Sequence, residues 1–301
     1  MMQRRAAGAH PSLRHRGRKE RSGVLNSVKV AAAQFDVHIL DKAYNLDKME
    51  EMSRRAKMLY GADLVAFPEA SLAGYCFESR EEALSAAEAF DGPSVRRMSR
   101  LSGALGMTIV FGTAETAGDR LYNSAVCCLP DGQVRCYRKT HLPLLGLDRF
   151  ADPGDALCVV NAPFGKLGLL VCYDLRFPEP MREEALRGAE LVVHITNLPP
   201  AGNAYPDFFS RARACENRVF LLSSNRIGTE RGFQFIGRSQ ILDPTGAVLA
   251  ELTDCEGIIA ADINLRQAGE KDIIVRPGVH EMHLFRDRRP ELYGNIGAAI
   301  L

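Results

Sequence analysis

Apolar residues recur along this chain in two rhythms, and the changes from one to the other mark out its elements. Residues 28–35 (VKVAAAQF) are an apolar run of strand length. Over 40–62 the apolar side chains Leu46, Met49, Met52, Ala56 and Leu59 return at helical spacing and predict an amphipathic helix. A buried strand follows at 63–67. A second helix is expected over 80–105, interrupted at Asp91-Gly92-Pro93, and another strand at 107–113. The runs 121–129 and 133–139 flank Pro130-Asp131-Gly132, a hairpin turn signal. Strands at 157–161 and 166–172, a helix over about 178–187, a strand at 191–196, a helix at 205–218 and a strand at 219–225 complete the alternating stretch. Two short strands, 239–242 and 247–251, close on the turn Asp243-Pro244-Thr245-Gly246, and 257–263 is the last strand. From about 264 no period is visible, and the tail is expected to wrap over the surface. The alternation without a break in composition predicts one α/β domain, 28–301, with helices on both sides of its sheet material.

Residues 1–27 lack either rhythm and read as a disordered basic tail. Its first 23 residues carry seven Arg and Lys against the single acid Glu20, and a chain with overall net charge +1 is therefore mildly acidic in its body. That body offers no field for nucleic acid. An Arg-rich, acid-poor start resembles a transit peptide, and a start codon assigned too far upstream would give the same appearance.

The remaining composition is ordinary for a globular protein, at 46% hydrophobic and 25% charged over 301 residues. No apolar stretch is long enough to cross a bilayer, so no membrane partner is expected. Eight cysteines stand at 76, 127, 128, 136, 158, 172, 215 and 255 without metal-ligand spacing. They read as reduced thiols of a cytoplasmic protein, with no metal. Adjacent Cys127 and Cys128 point to opposite faces of a strand. His194, inside an apolar strand, reads as a hydrogen-bonded sheet residue.

Three unlike functional groups end apolar runs: Glu69 after LVAFP, Lys139 at the end of the hairpin, and Cys172 after LGLLV. In open α/β sheets the crevice lies beyond the carboxyl ends of strands, so these groups can converge there. A carboxylate, an ammonium and a thiol make a complete set for acyl transfer. Taken singly each has a plain reading: Cys172 a core thiol, Glu69 a cap, Lys139 a solvated strand end.

The wording around the three resembles the nitrilase superfamily of carbon-nitrogen hydrolases. Its Glu, Lys and Cys motifs match FPEASLAGY (67–75) at Glu69, YRKTHLP (137–143) at Lys139 and GLLVCYDLRFPE (168–179) at Cys172. Further similarity appears in ARACEN (212–217), SSNRIG (223–228), FIGRSQILDPTGAVLAE (235–251) and RRPELYG (288–294). The resemblance implies a four-layer α-β-β-α sandwich, no cofactor, and pairing into a homodimer or higher homo-oligomer. It also implies hydrolysis of a small amide. Glu69 would be the general base, Cys172 the nucleophile that forms a thioester, and Lys139 with the Tyr173 N–H the oxyanion donors.

The sequence departs from that pattern in one place. Many members carry a second Glu after the lysine, where LLGLDRFADPGD (144–155) offers Asp148, or less directly Asp152. Asp148 fits equally a group that orients Lys139 or the substrate amide and one that caps a turn. True nitrilases typically show Cys-Trp-Glu. Here Cys172-Tyr173-Asp174 and a chain without Trp favour an amidase, and the wording is most like the ω-amidase and deaminated-glutathione amidase branch. Arg176 stands where some carbamoylases bind a carboxylate, so a carboxylate-bearing amide is the expected substrate; an ion pair to Asp174 or Glu179 is the equal alternative. An N-carbamoyl compound is the second substrate reading. A noncatalytic nitrilase-fold binding module is the reading of another class, and a thiol redox sensor a third.

Overall fold

The computed structural model describes residues 27–298, and the basic segment expected to be disordered lies outside them except for Ser27. The first half runs β1 (Ser27–Gln34), α1 (Lys42–Tyr60), β2 (Leu64–Ala66), α2 (Arg80–Ala86), β3 (Glu88–Ala89), α3 (Pro93–Leu105), β4 (Thr108–Ala117), β5 (Arg120–Cys128) and β6 (Val134–Arg138). The second half continues β7 (Cys158–Ala162), β8 (Gly165–Val171), α4 (Pro178–Leu186), β9 (Leu191–Ile195), α5 (Ser210–Asn217), β10 (Phe220–Ser224), β11 (Thr229–Glu230), β12 (Phe233–Gln234), β13 (Gln240–Leu242), β14 (Val248–Glu251) and β15 (Gly257–Asn264). After it come α6 (Arg266–Gly269), β16 (Asp272–Arg276) and β17 (His280–His283).

Two mixed sheets result. One has the order β15-β1-β2-β4-β5-β6 with β3 added on β4, and the other β14-β13-β10-β9-β8-β7. Side chains alternate across a strand, so each sheet presents one apolar face to the other sheet and one to helices. Val30, Leu64, Val110, Ala125 and Cys127 of the first sheet meet Leu169, Val171, Val193, Ile195 and Leu222 of the second. On its outer face the first sheet turns Ala31, Val65, Ile109 and Cys128 onto Met49, Met52, Met98 and Leu101 of α1 and α3. The second sheet turns Leu170, Val192 and Leu221 onto Met181, Ala185 and Ala214 of α4 and α5. The layers are therefore α-β-β-α, as expected, and Cys127 and Cys128 do fall on opposite faces.

Several expectations need correction. The helix placed over 80–105 is two helices, because Glu88–Ala89 pairs with β4 and Pro93 starts α3 afresh. Glu88 caps that new start, accepting bonds from the Ser94 backbone N and hydroxyl. The helix placed over 205–218 begins as a wider π-turn at Tyr205–Phe209 and becomes α-helical only at Ser210. The tail after 264 holds more than a surface wrap: Leu265 and Ala268 join the inter-sheet core, while β16 and β17 form an exposed hairpin. Short, half-polar strands of this kind leave little periodicity to read.

Candidate active site

The two sheets meet at one edge where β2, β6 and β8 end, and each end delivers one of the three groups. After β2, Pro68 stops the ladder and Ala70 takes a left-handed φ of 47°, turning Glu69 inward. Gly112 on β4 makes that turn possible: a Cβ there would collide with the Glu69–Ala70 backbone. Lys139 follows β6 and is held by its backbone N on Asn123 O at 2.8 Å. Cys172 follows β8 with φ 45°, a left-handed value that a side-chain-bearing residue adopts only under constraint, and opens a 3-10 turn, Cys172–Arg176.

Glu69 and Lys139 are both 0% exposed, with Lys139 Nζ 2.7 Å from Glu69 Oε1. Asp148 completes the cluster at 2.5 Å from the same ammonium. The loop aspartate is thus brought to Lys139. Asp152 instead accepts from Leu121 N and stays out of the cluster. Tyr75 donates its hydroxyl to Asp148 Oδ2 at 2.8 Å. Asn123, on β5, donates one amide nitrogen to Glu69 Oε1 at 2.7 Å and to Asp148 Oδ1 at 2.8 Å. Sequence reasoning missed Asn123 and Tyr75. The available signal for the first was a lone amide inside the apolar strand 121–129, since a buried polar side chain requires partners.

Asp174 fastens the thiol's turn to the lysine's loop. Its Oδ2 accepts from Val171 N at 3.0 Å and from the Tyr137 hydroxyl at 2.8 Å. Oδ1 faces His141 Nδ1 at 2.8 Å and Thr140 Oγ1 at 3.1 Å. His141 also stacks on Phe177, so it braces the loop. His194 is a hydrogen-bonded sheet residue, with Nε2 3.0 Å from Cys172 O.

Electrostatics follow from burying two carboxylates beside one ammonium. Burial raises the Glu69 pKa, helped by the Asp148 charge and opposed by Lys139 and Asn123. Burial works against the Lys139 ammonium, yet Asp148 and Glu69 outweigh it and lift its pKa well above the ordinary lysine value. Burial, and next the Glu69 charge, push the Cys172 thiol up to about 12. A sulfur so placed favours the protonated thiol near neutral pH. Glu69 Oε2 is buried without a hydrogen-bond partner among the described residues.

Tyr173 N–H stands in the first turn after Cys172, where backbone donors lack acceptors inside the turn. Arg176 is exposed, its guanidinium 4.5 Å from the Phe209 ring centre, and it forms no ion pair with Asp174 or Glu179. The ion-pair alternative for Arg176 is thereby corrected: Asp174 is consumed by the latch just described. No group of three or more His, Cys, Asp or Glu side chains among the described residues could hold a metal ion, and no helix there is long and apolar enough to cross a membrane.

Over residues 29–271 the chain matches the carbon-nitrogen hydrolase family. It is 38% identical over 272 residues to a nitrilase of Pyrococcus abyssi (strain GE5 / Orsay), covering 88% of this chain and 99% of that protein. It is 32% identical over 297 residues to N-carbamoylputrescine amidase of Arabidopsis thaliana, covering 91% and 96%. Among solved structures, the Nesterenkonia AN1 amidase of the nitrilase superfamily superposes with a TM-score of 0.74 at 28% identity, covering 91% of this chain and 100% of that one. Another form of that amidase carries the acetamide moiety of fluoroacetamide covalently on its active-site cysteine.

Proposed function

The chain belongs to the carbon-nitrogen hydrolase family, and from that premise we propose that it hydrolyses a small carboxylate-bearing amide through a thioester on Cys172. The observation that carries the reading is the pairing of a high-pKa thiol with a buried carboxylate whose Oε2 has no partner among the described residues, while its Oε1 is held by Lys139 and Asn123. One oxygen is anchored and the other is free to take a proton.

In this reading Glu69 Oε2 accepts the thiol proton as Cys172 Sγ attacks the amide carbon. Charge then develops on the carbonyl oxygen, where Lys139 and the Tyr173 N–H stabilise it. The C–N bond breaks as Glu69 returns the proton to the leaving nitrogen, giving ammonia and the thioester. Water, deprotonated by Glu69, attacks the thioester, and the sulfur leaves with that proton as a thiol. The carboxylic acid is released, and no other reactant is consumed. Asp148 keeps Lys139 charged and aimed throughout, which its two further bonds from Tyr75 and Asn123 support.

Arg176 supports the carboxylate half of the proposal. Its face lies on Phe209, which leaves the edge donors of the guanidinium available for a planar anion. An N-carbamoyl substrate is the second reading, favoured by the carbamoylputrescine amidase likeness. A pure binding role is disfavoured because it gives no account of two buried carboxylates converging on one ammonium. Self-association is proposed too, supported by exposed Ile274, Val275, Val279, Leu292 and Ile296 on the C-terminal segment, and sedimentation analysis tests it.

The deciding experiment measures ammonia release over a panel of small amides, ω-amides, carbamoyl compounds and nitriles, for the wild type and for Cys172→Ala and Glu69→Gln. Release from a carboxylate-bearing amide, abolished in both variants with the fold retained, is expected. Comparable release by either variant would refute the assigned roles.

A further inference from the structure

His194 lies in β9, opposite Leu170 of β8 on one side and Ser223 of β10 on the other, and is 0% exposed. Its ring spans the gap between them: Nε2 is 3.0 Å from the Cys172 carbonyl oxygen and Nδ1 3.0 Å from Ser223 Oγ. Tyr205, at the start of the π-turn, lies parallel to the imidazole with an interplanar angle of 6°. Burial pushes the His194 pKa down to about 4, so the ring is neutral at ordinary pH and has one donor and one acceptor. A carbonyl oxygen only accepts, which puts the proton on Nε2. Nδ1 must then accept from the Ser223 hydroxyl, and the tautomer is fixed.

That bond bears on the oxyanion because of what lies on the other end of the peptide. The amide joining Cys172 to Tyr173 is planar and trans, so its C=O and N–H point in opposite directions. Holding the oxygen on His194 aims the N–H the opposite way, away from β9. Without an anchor the peptide plane is free to rock away from the left-handed conformation of Cys172, which is unfavourable for a side-chain-bearing residue. A donor on the carbonyl also polarises the whole amide and strengthens its N–H as a donor.

We infer that His194, with Ser223 as its tautomer lock, is a positioning residue that orients the Cys172–Tyr173 peptide so that the Tyr173 N–H meets the developing oxyanion. The inference rests on the proposed role of that N–H. It assigns a function to a histidine that touches neither substrate nor the reacting atoms.

The test separates oxyanion formation from sulfur reactivity. His194→Phe keeps a ring against Tyr205 and removes the donor. Amide turnover and inhibition by a small aldehyde, which adds to the thiol and forms an oxyanion-bearing adduct, both require the hole; alkylation by iodoacetamide does not. The expected result is a fall in kcat of about 10- to 100-fold with little change in KM, approaching the cost of losing one oxyanion donor. Aldehyde affinity should weaken in parallel, while the alkylation rate stays within about threefold. Ser223→Ala frees the tautomer and should show the same pattern at smaller size, about 3- to 10-fold. It decides the matter if His194→Phe does not fold. Turnover or aldehyde affinity unchanged in Ser223→Ala and in folded His194→Phe overturns the proposal, and so does an equal loss of alkylation and turnover, which marks His194 as scaffold. A wild-type enzyme that releases no ammonia from any amide, or whose Cys172→Ala variant binds the aldehyde equally well, refutes the site assignment and the His194 proposal with it.

Discussion

Replacing Asn123 by Leu removes one side-chain nitrogen that serves two carboxylates, and the structure says how the loss should divide. The bond to Glu69 Oε1, at 2.7 Å, restrains the base; the bond to Asp148 Oδ1, at 2.8 Å, restrains the group that aims Lys139. Hydrogen bonds to charged acceptors contribute about 1.5–3 kcal/mol each, and buried ones are felt in full when one partner is removed. At 1.36 kcal/mol per tenfold in rate, the bond to Glu69 alone predicts a loss of about 10- to 100-fold in kcat/KM. The bond to Asp148 predicts a fall in folding stability of about 2 kcal/mol. Leu is close to Asn in size, and Lys139 N still has the backbone oxygen of residue 123, so the chain path should survive. A pH profile gives a sharper readout. Asn123 holds the Glu69 pKa down against burial, so its removal should move the acidic limb of kcat/KM to higher pH. Ammonia release measured across that limb, with a thermal melt alongside, checks both parts. A variant within about threefold of wild type, with its acidic limb unmoved, would refute the claim that Asn123 restrains the base.

Glu184 is buried with Oε1 accepting from Leu169 N at 3.2 Å and Oε2 unpartnered among the described residues, and burial raises its pKa well above the usual carboxylate range. Because the folded value lies above the unfolded one, its stabilising contribution is complete below the unfolded pKa and fades as pH rises toward the folded value, by about 1.4 kcal/mol per pH unit. Glu184→Gln does not titrate, so the wild type should lose melting temperature relative to the variant as pH rises above the ordinary carboxylate pKa; parallel curves would contradict this. Arg176→Lys keeps the charge but loses the planar fork, and is expected to raise KM about tenfold for a carboxylate-bearing amide and hardly at all for a neutral amide of similar size. Equal effects on the two would leave the substrate's acidic group unsupported. Removing residues 1–23, which hold few apolar side chains, should leave Tm and kcat unchanged, and a large loss in either would show that the segment docks.

That strands and helices alternate in one α/β domain was readable from the chain because periodicity is a local property. A strand such as 28–35, apolar over most of its length, must be covered on both faces, which predicts helices packed on sheet; that the inner cover is a second sheet was implied only by the family resemblance. Glu69, Lys139 and Cys172 were readable for a related reason, as polar groups standing where apolar strands stop, within wording that resembles a known family. Asp148 was readable only as a carboxylate in a loop. What it does depends on Tyr75 and Asn123, 73 and 25 residues away, whose bonds to it exist only once β5 and the loops after β2 and β6 are packed together. Arg176 shows the same limit from the other side. Its nearby carboxylates suggested an ion pair, but Asp174 is taken by Tyr137 of β6 and by Thr140 and His141 of the loop after it, and the guanidinium is left on Phe209. The raised thiol pKa and the free oxygen of Glu69 likewise depend on desolvation and on competition among partners. Residue type and order decide which chemistry a chain can perform; distance, burial and the choice among rival partners belong to the folded state, because each is set by atoms far apart in sequence.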